Sequence, residues 1–501
     1  MAACCCTSHA EKREFLELQP MLPLSVQPMH PWQPPPSKAE TSKRICSHRC
    51  MTIFCIVIAP FLVLSLYLLI EVSIYFFAHQ HFQPWILQYP DSMIAKVFLP
   101  PIEILDSIYV GRSDTFICAR TLFGNNFAAS GMVWISSFDY VSTVLTNPQA
   151  RTYQLGEHPL LYQNLPDVDH SRLVFLLSLS DQGAGGSGAH EAFRSAFLQT
   201  LMNAPEVEQR RTDSISASLI DRLVSDYREL PHDNQTSTFF SNGDRGLIPF
   251  SVHYLHYVMF GLDIYDDTIL KALEAFLIGP AQIGHYLYPH GYFMPHHEVI
   301  DNVVNIYLAS PAIQKFEENN PEFFSMTKRE LAALAASIMR MAGVQGFHQT
   351  SSIVLGAFKM GQYPGVAERF DQRTVWDQLD LSDTEEIQQY IMECIRLDTP
   401  VSVVHHVATE PFSIDIWGTT RYYPAGTKIA VPLGLANLDP DFWGPNVYQF
   451  DIKRPQLKDN LLSFNSKGSE HAGRECPGKA LVMATLTEML AKIGEVRRSL
   501  M

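Results

Sequence analysis

The hydrophobic and polar positions of the chain follow mainly the period of helices. After residue 479, apolar side chains recur every three or four positions, at Val482, Leu486, Leu490 and Ile493. This spacing predicts an amphipathic helix that begins near Lys479. Similar patterns predict helices over 219–230 and 384–397, and the apolar segment 331–360 is long enough for a buried helix that crosses a domain. Residues from about 190 to 400 are therefore expected to be mostly helical.

Short strands are predicted at two places. Residues 131–135 form a strand-like apolar run, and a helix follows from Phe138. That helix should end before Pro148, because a proline disfavours helical backbone in the residue that precedes it. Further short strands are expected over 401–432, where a turn leads into an apolar run. These helices and short strands belong to one predicted domain over residues 84–501.

The N-terminal part of the chain has a different character. Residues 53–77 are almost wholly apolar, with a single charge at Glu71, and exceed the roughly 20 residues that cross a bilayer. We expect a transmembrane anchor within 51–77, preceded by a disordered, proline-rich tail over 1–50. Basic residues before the anchor would place this tail in the cytosol. A start at Met51 would remove them, so the membrane orientation stays open.

Composition narrows the class of protein. The chain has 501 residues, of which 47% are hydrophobic, so it can bury a large core. Its formal net charge is −15 and no basic stripe stands out, which argues against a nucleic-acid partner. The nine cysteines show no paired spacing, which argues against a disulfide framework and a zinc module.

Cys476 is the strongest candidate for chemistry. It lies just before the predicted helix, and the positive end of a helix dipole favours a thiolate. Arg474 would lie beside a bound group and pair with an acidic substituent, while Gly478 would let the backbone approach a flat ring closely. This arrangement is typical of a thiolate that binds haem iron. The alternative is a cysteine that serves as a small buried hydrophobe.

Other segments support the first interpretation. Glu393 and Arg396 are three residues apart on a predicted helix, so they share one face and can bind a third partner. A Pro-Ala-Gly turn and strand over 423–432 follow, and then a segment rich in proline and aromatic residues over 437–455. In this order and spacing, the segments and Cys476 resemble the cytochrome P450 family over about the last third of the chain.

The resemblance implies haem b with Cys476 as the axial iron ligand, in a haem-thiolate P450-like fold that is mainly α with a small β region and is preceded by one transmembrane helix. It also implies that the Glu393–Arg396 pair locks with Arg454, in a structural role. His406 occupies the position of an arginine that binds a haem propionate, and a histidine can still donate there. The alternative is that His406 simply lies at a strand edge.

Further upstream, the family carries a tryptophan and an arginine that help to hold the haem. His190 and Arg194 match this pattern, with histidine in place of tryptophan. Their spacing of four residues places both side chains on one face of a helix. The resemblance therefore implies that both contact the cofactor.

The helix that crosses the haem in this family carries an acid and an alcohol, which move protons to dioxygen. One register places Gln345 at the acid and Gly346 at the alcohol, and a second places Gln349 and Thr350 there. Neither register has a carboxylate, and a glutamine cannot exchange a proton at neutral pH as an acid does. A water chain, His348 or Thr350 takes this role, or the enzyme does not cleave dioxygen.

The haem loop also departs from the family pattern. Phe464 lies twelve residues before Cys476 (476 − 464 = 12), where the family has a phenylalanine close to the cysteine. This indicates an insertion around 466–471. Some relatives that rearrange fatty-acid hydroperoxides without dioxygen also have a longer loop, so the type of reaction stays open.

The leading hypothesis is a membrane-anchored monooxygenase in the endoplasmic reticulum that oxidises a hydrophobic small molecule of secondary-metabolite or lipid metabolism. A membrane reductase would supply electrons. The anchor and Phe347 on the active-site helix favour an apolar substrate. One alternative is an oxygen-independent isomerase or dehydratase that acts on a lipid hydroperoxide with the same haem. An alternative from another class is a non-catalytic haem-binding sensor.

Overall fold

The computed structural model of the protein describes residues 83–89, 92–94, 120, 124–129, 131–146, 196–197, 199–202, 204–232, 237–241, 243–264, 269–271, 273, 297–320, 327–356, 370–401, 403–408, 410–468 and 475–501. All of them lie in one compact unit, Gln83–Met501. The predicted tail and anchor, over 1–50 and 51–77, lie outside the described residues. Within the ranges above, no helix is both long enough and apolar enough to span a membrane.

Helices make up most of the described unit. They are α1 (Gln83–Gln88), α2 (Phe138–Thr146), α3 (Pro205–Thr212), α4 (Ser214–Glu229), α5 (Thr238–Ser241), α6 (Leu247–Phe260), α7 (His297–Leu308), α8 (Pro311–Asn319), α9 (Lys328–Ile338), a π-helix (Met339–Val344), α10 (Gln345–Val354), α11 (Phe370–Gln378), α12 (Thr384–Leu397), α13 (Leu433–Ala436), α14 (Pro440–Trp443), α15 (Leu457–Asn460) and α16 (Lys479–Leu500).

The strands form one mixed sheet and two hairpins. They are β1 (Asn126–Ala129), β2 (Met132–Ile135), β3 (Val404–Val407), β4 (Phe412–Ile416), β5 (Thr419–Tyr423), β6 (Lys428–Val431), β7 (Leu462–Ser463) and β8 (Ser466–Lys467). The sheet has the order β1-β2-β6-β3, in which β2 and β6 are parallel and the other neighbours are antiparallel. The hairpins are β4–β5 and β7–β8. The mainly α fold with a small β region is confirmed.

Several predicted elements are found with nearly the predicted bounds. Helix α12 covers the residues expected of it, α16 begins at Lys479, and α2 begins at Phe138. Strand β2 covers all but the first residue of the predicted run. Helix α4 begins earlier than the apolar pattern indicated, because Asp213 caps it by accepting hydrogen bonds from the backbone N–H groups of Ile215 and Ser216.

The helix predicted over 331–360 is present as an unbroken run of helical backbone from Lys328 to Val354, but it contains a π-helical segment and ends earlier than predicted. A capping box of Thr327 and Glu330 starts α9 before Leu331. The π-helix then separates α9 from α10. A Cβ atom on Gly343 would lie 2.7 Å from Sδ of Met339, so this glycine permits the wider turn to pack closely. Beyond α10, Gly356 takes a left-handed conformation with φ of 92°, which ends the helix.

Helix α12 lies among the elements that surround the segment leading to Cys476. It packs against α10, α15, α16 and β7, and its C-terminal half, from Glu393 to Leu397, is buried. Nearby, the buried carboxylate of Asp439 caps two helices at once. It accepts hydrogen bonds from the N–H groups of Phe138 (2.9 Å) and Asp441 (3.1 Å), at the starts of α2 and α14.

His256 is fully buried on α6. Its Nδ1 atom lies 2.6 Å from the carbonyl oxygen of Val252, and its Nε2 atom lies 2.7 Å from the hydroxyl of Tyr307. A carbonyl only accepts, so Nδ1 carries the proton and Nε2 accepts from Tyr307. Burial lowers the pKa of His256 to about 4, the hydrogen bond to Val252 opposes this shift, and the nearby His253 adds to it.

We predict that His256 makes the protein less stable in acid. Its pKa rises from about 4 when folded to about 6.5 when unfolded, so unfolding takes up a proton between these values. The contribution of His256 to the free energy of unfolding is complete above about pH 6.5. It is lost as the pH falls towards 4, and the total loss is about 3 kcal/mol.

Urea unfolding at about pH 7 and about pH 5 tests this prediction. In His256→Gln the free energy of unfolding should depend less on pH than in the unchanged protein. An equal pH dependence in both proteins would contradict it.

Candidate active site

Cys476 lies where the helix potential is most positive. The backbone carbonyl of Cys476 accepts a hydrogen bond from the N–H group of Lys479 (3.2 Å), the first residue of α16. Helix α16 has 22 residues, and its dipole favours negative charge at this end. The side chain is half-buried. The sequence prediction of a cysteine at the start of a helix is therefore confirmed.

The β7–β8 hairpin holds the backbone of Cys476. Its two turn residues, Phe464 and Asn465, both have positive φ angles, of 52° and 54°. The carbonyl of Phe464 accepts a hydrogen bond of 2.6 Å from the N–H group of Cys476. A single contact thus brings together two residues that are twelve positions apart. Arg474 belongs to 469–474, which lies outside the described residues, so its role stays a prediction.

Gly478 is not required by the local backbone. Its φ angle of −81° is available to any residue. A Cβ atom there would lie 3.8 Å from Sγ of Cys476 and 3.9 Å from Cγ2 of Val482, which are ordinary contacts. The chain alone could therefore accept a side chain at this position. Close approach to a flat ring stays a prediction for Gly478.

The predicted lock between Glu393 and Arg396 is present and fully buried. Nε and Nη2 of Arg396 donate to the two carboxylate oxygens of Glu393, at 2.7 Å and 2.8 Å. Arg454 brings Nη2 to 3.6 Å from Oε1 of Glu393. The N–H group of Asp451 donates to the same oxygen, at 3.0 Å. One carboxylate on α12 therefore fastens the segment that precedes the cysteine loop.

Asn437 extends this network towards Cys476. Its backbone carbonyl oxygen accepts a hydrogen bond of 3.0 Å from Nη1 of Arg396. Its side chain pairs with the backbone of Leu462 in β7, giving 2.8 Å from Nδ2 to the carbonyl oxygen and 3.0 Å from Oδ1 to the N–H group. Buried contacts therefore run from the ion pair to the hairpin that binds Cys476.

Gly346 and Thr350 lie one turn apart on α10. A Cβ atom on Gly346 would meet no atom within 4 Å, so this face of the helix opens into space. The hydroxyl of Thr350 donates to the carbonyl of Gly346, at 2.6 Å. Gln345 is half-buried at the start of α10, directly after the π-helix. Helix α10 contains no acidic residue, so it offers hydroxyl and amide groups but no carboxylate.

His348 is unsuited to carry protons from this helix. Its Nε2 atom lies 3.1 Å from the carbonyl oxygen of Phe240, to which it donates. Burial lowers the pKa of His348, and the bond to Phe240 opposes this shift. The ring is therefore neutral at pH 7 and its Nε2 proton is held by a carbonyl.

Phe347 does not support an apolar substrate. It is buried, and its ring stacks at 6.4 Å on that of Tyr254 and lies 6.3 Å from Phe250, both on α6. Its aromatic side chain therefore belongs to the core between α6 and α10.

The remaining predicted residues have no described side-chain geometry. His406 lies in β3 opposite Ile429 of β6, and its side chain lies outside the description. His190 and Arg194 also lie outside the described residues. Sequence reasoning missed Arg120, which is buried and donates to the carbonyls of Leu435 and Leu438, each at 2.6 Å. No local pattern marks such a contact between distant residues.

The donor set suits haem. A cysteine at a helix N-terminus is the residue and location that favour a thiolate ligand. Helices α10 and α16 both pack on α12, and α10 has an open face at Gly346. This fold and the location of Cys476 are typical of a haem-thiolate protein.

Comparisons with known proteins agree with this class. Residues 297–493, which include α12, β3–β8 and Cys476, match the family model of cytochrome P450. Cytochrome P450 130 of Mycobacterium tuberculosis is 32% identical over 149 residues, which cover 30% of this chain and 33% of that protein. Cytochrome P450 714B3 of Zea mays is 27% identical over 118 residues, 23% of this chain and 21% of that protein. The match spans about a third or less of these relatives.

Solved structures agree at the level of the fold. The crystal structure of CalO2 superposes with a TM-score of 0.50 at 16% identity, and the match covers 73% of this chain and 83% of that one. Full-length CYP116B46 from Tepidiphilus thermophilus gives 0.50 at 14% identity, over 76% and 47%. Residues 297–493 are thus similar to the cytochrome P450 family, which uses haem with a cysteine thiolate as axial ligand.

We predict that Glu393→Gln strongly destabilises the protein. It would leave the Arg396 guanidinium buried without its counter-charge, at a cost of about 3–5 kcal/mol. Urea unfolding measures the change. Glu385→Gln is the matched control on the same helix, because Glu385 forms an exposed pair with Lys458 at 3.6 Å and should matter little. Equal losses in both variants would contradict the prediction.

Proposed function

We propose that the protein is a membrane-anchored haem-thiolate monooxygenase that oxidises a hydrophobic small molecule. The observation that carries this proposal is the location of Cys476 at the N-terminus of α16, held by the β7–β8 hairpin and the buried Glu393–Arg396 pair. Haem b would bind through Cys476. Arg474, His406, Arg194 and His190 would contact its acidic groups, and Gly478 would face its ring.

When bound, haem supplies the chemistry that activates dioxygen. The residues of the chain position the reactants and the groups that move protons. Gly346 leaves space on α10. Thr350 holds its hydroxyl proton towards the carbonyl of Gly346, so it must rotate before it donates elsewhere. Gln345 can orient a water molecule but cannot give up a proton at neutral pH. We therefore propose that water, oriented by Gln345 and Thr350, carries protons along this helix.

The membrane part of the proposal rests on two features. The apolar run 53–77 is long enough to cross a bilayer and ends six residues before α1 begins. Trp85 and Tyr89 are then 40% and 55% exposed, and Met93 is 76% exposed. Trp and Tyr are enriched where proteins meet the membrane interface. We propose the endoplasmic reticulum membrane as the location and a membrane reductase as the electron donor.

A second candidate is an isomerase or dehydratase that acts on a lipid hydroperoxide with the same haem. Two observations favour it. Helix α10 lacks a carboxylate, and the haem loop is long between Phe464 and Cys476. A peroxide substrate already contains the bond to be broken, so this reaction needs neither dioxygen nor a reductase. A non-catalytic haem sensor is the candidate from another class.

Replacement of the proposed iron ligand tests the cofactor. We expect Cys476→Ala to abolish the thiolate-type spectrum of the reduced protein with carbon monoxide, because alanine offers no sulfur to the iron. Cys394→Ala is the control, since Cys394 is fully buried in α12 and burial raises the pKa of its thiol. A thiolate-type spectrum that persists in Cys476→Ala would refute the assignment.

Substrate turnover separates the three functions. With a membrane reductase, a monooxygenase should consume NADPH and dioxygen as it oxidises members of a panel of terpenoids, polyketides and fatty acids. Conversion of a fatty-acid hydroperoxide without dioxygen or reductant would instead establish the isomerase or dehydratase. A sensor should bind haem and show neither activity.

A further inference from the structure

Lys479 joins three groups around the cysteine. Its Nζ atom lies 2.5 Å from Oε1 of Glu475, 2.6 Å from the carbonyl oxygen of Gly468 and 3.3 Å from Oγ of Ser466. Glu475 directly precedes Cys476 in the chain, whereas Ser466 and Gly468 belong to the end of the β7–β8 hairpin. One ammonium group therefore ties the first turn of α16 to the hairpin.

The hairpin end that Lys479 binds has a fixed position. Gly468 has a φ angle of 52°, and a Cβ atom there would lie 2.2 Å from the carbonyl oxygen of Asp459, so only glycine fits. Its N–H group donates to the carbonyl of Leu461, at 2.8 Å. The carbonyl of Gly468 therefore presents a rigid acceptor to the Lys479 ammonium.

The turn of the same hairpin is strained. Phe464 has a φ angle of 52°, a region that a bulky side chain rarely adopts. Its carbonyl nevertheless accepts the N–H group of Cys476, at 2.6 Å. Strain of this kind persists where surrounding contacts enforce it and is concentrated at functional sites. The bond between Cys476 and Phe464 and the contacts of Lys479 therefore attach the start of α16 to the same hairpin at two points.

Charge gives Lys479 a second effect. Glu475 is covalently next to Cys476 and its side chain is only 13% exposed, so water screens its carboxylate weakly. A carboxylate there opposes negative charge on the sulfur and stabilises the oxidised state of a bound iron. The Lys479 ammonium, 2.5 Å from that carboxylate, offsets it. The pair therefore presents little net charge to the thiolate.

We propose that Lys479 is a positioning residue for the haem thiolate: it fastens the start of α16 to the β7–β8 hairpin and neutralises Glu475 beside Cys476. The proposal rests on the haem-thiolate assignment. It gives the described residues on either side of 469–474, namely Gly468 and Glu475, a common partner. It also predicts that the charges of Lys479 and Glu475 act on the iron in opposite directions.

The test measures the midpoint reduction potential of the haem-loaded full chain. Lys479→Met should shift the potential to a more negative value, because Glu475 is then uncompensated. Glu475→Gln should shift it to a more positive value, and it remains an independent test if Lys479→Met fails to load haem. The double variant should return towards the unchanged protein, and Lys479→Arg should retain most of the original potential.

Lys492→Met is the matched control on the same helix. Lys492 also pairs with a glutamate four residues away, Glu488 at 3.7 Å, and with Asp221 at 3.0 Å, but it lies sixteen residues after Cys476 in the chain. It should leave the potential unchanged. Unaltered potentials in both Lys479→Met and Glu475→Gln, or a double variant as displaced as Lys479→Met, would overturn the proposal. An unchanged protein without a thiolate-type spectrum would instead refute the haem assignment itself.

Discussion

The buried ion pair of Glu393 and Arg396 is the interaction on which the candidate site depends. Both side chains are fully excluded from water, where an ion pair is tolerated only if its remaining hydrogen-bonding atoms find partners. Those partners are backbone groups of Asn437 and Asp451. The segment before the cysteine loop must therefore take one path past α12. Asn437 transmits that path to Leu462, and the hairpin that follows binds Cys476.

The π-helix and α10 contain no acidic residue. The π-helix, the open face at Gly346 and the hydroxyl of Thr350 provide room and a movable proton. No carboxylate on α10 provides an acid, and His348 is neutral and engaged with Phe240. A reaction with dioxygen then depends on ordered water, whereas a peroxide substrate requires fewer protons. The cofactor and the type of reaction are thus specified by different parts of the chain.

Local signals in the sequence predicted the elements that local forces determine. Helix α12 and the start of α16 follow from apolar periodicity and polar boundaries. The Glu393–Arg396 pair follows from spacing on one helix face. The π-helix was missed because the apolar pattern of 331–360 continues through it. The contacts of Arg120 and the bond between Phe464 and Cys476 were missed because they join residues whose proximity only the tertiary fold creates.

Because Cys476 binds the β7–β8 hairpin directly, its position does not depend on the length of the loop that precedes it. One end of the loop leaves Gly468, whose N–H group donates to the carbonyl of Leu461, and the other end returns at Cys476, whose N–H group donates to the carbonyl of Phe464. Closing a longer loop between fixed ends costs little additional entropy, since the cost grows only with the logarithm of length. Residues can therefore be gained or lost between these anchors while the sulfur keeps its place, which makes this loop a permissive site for evolutionary change beside an otherwise constrained ligand.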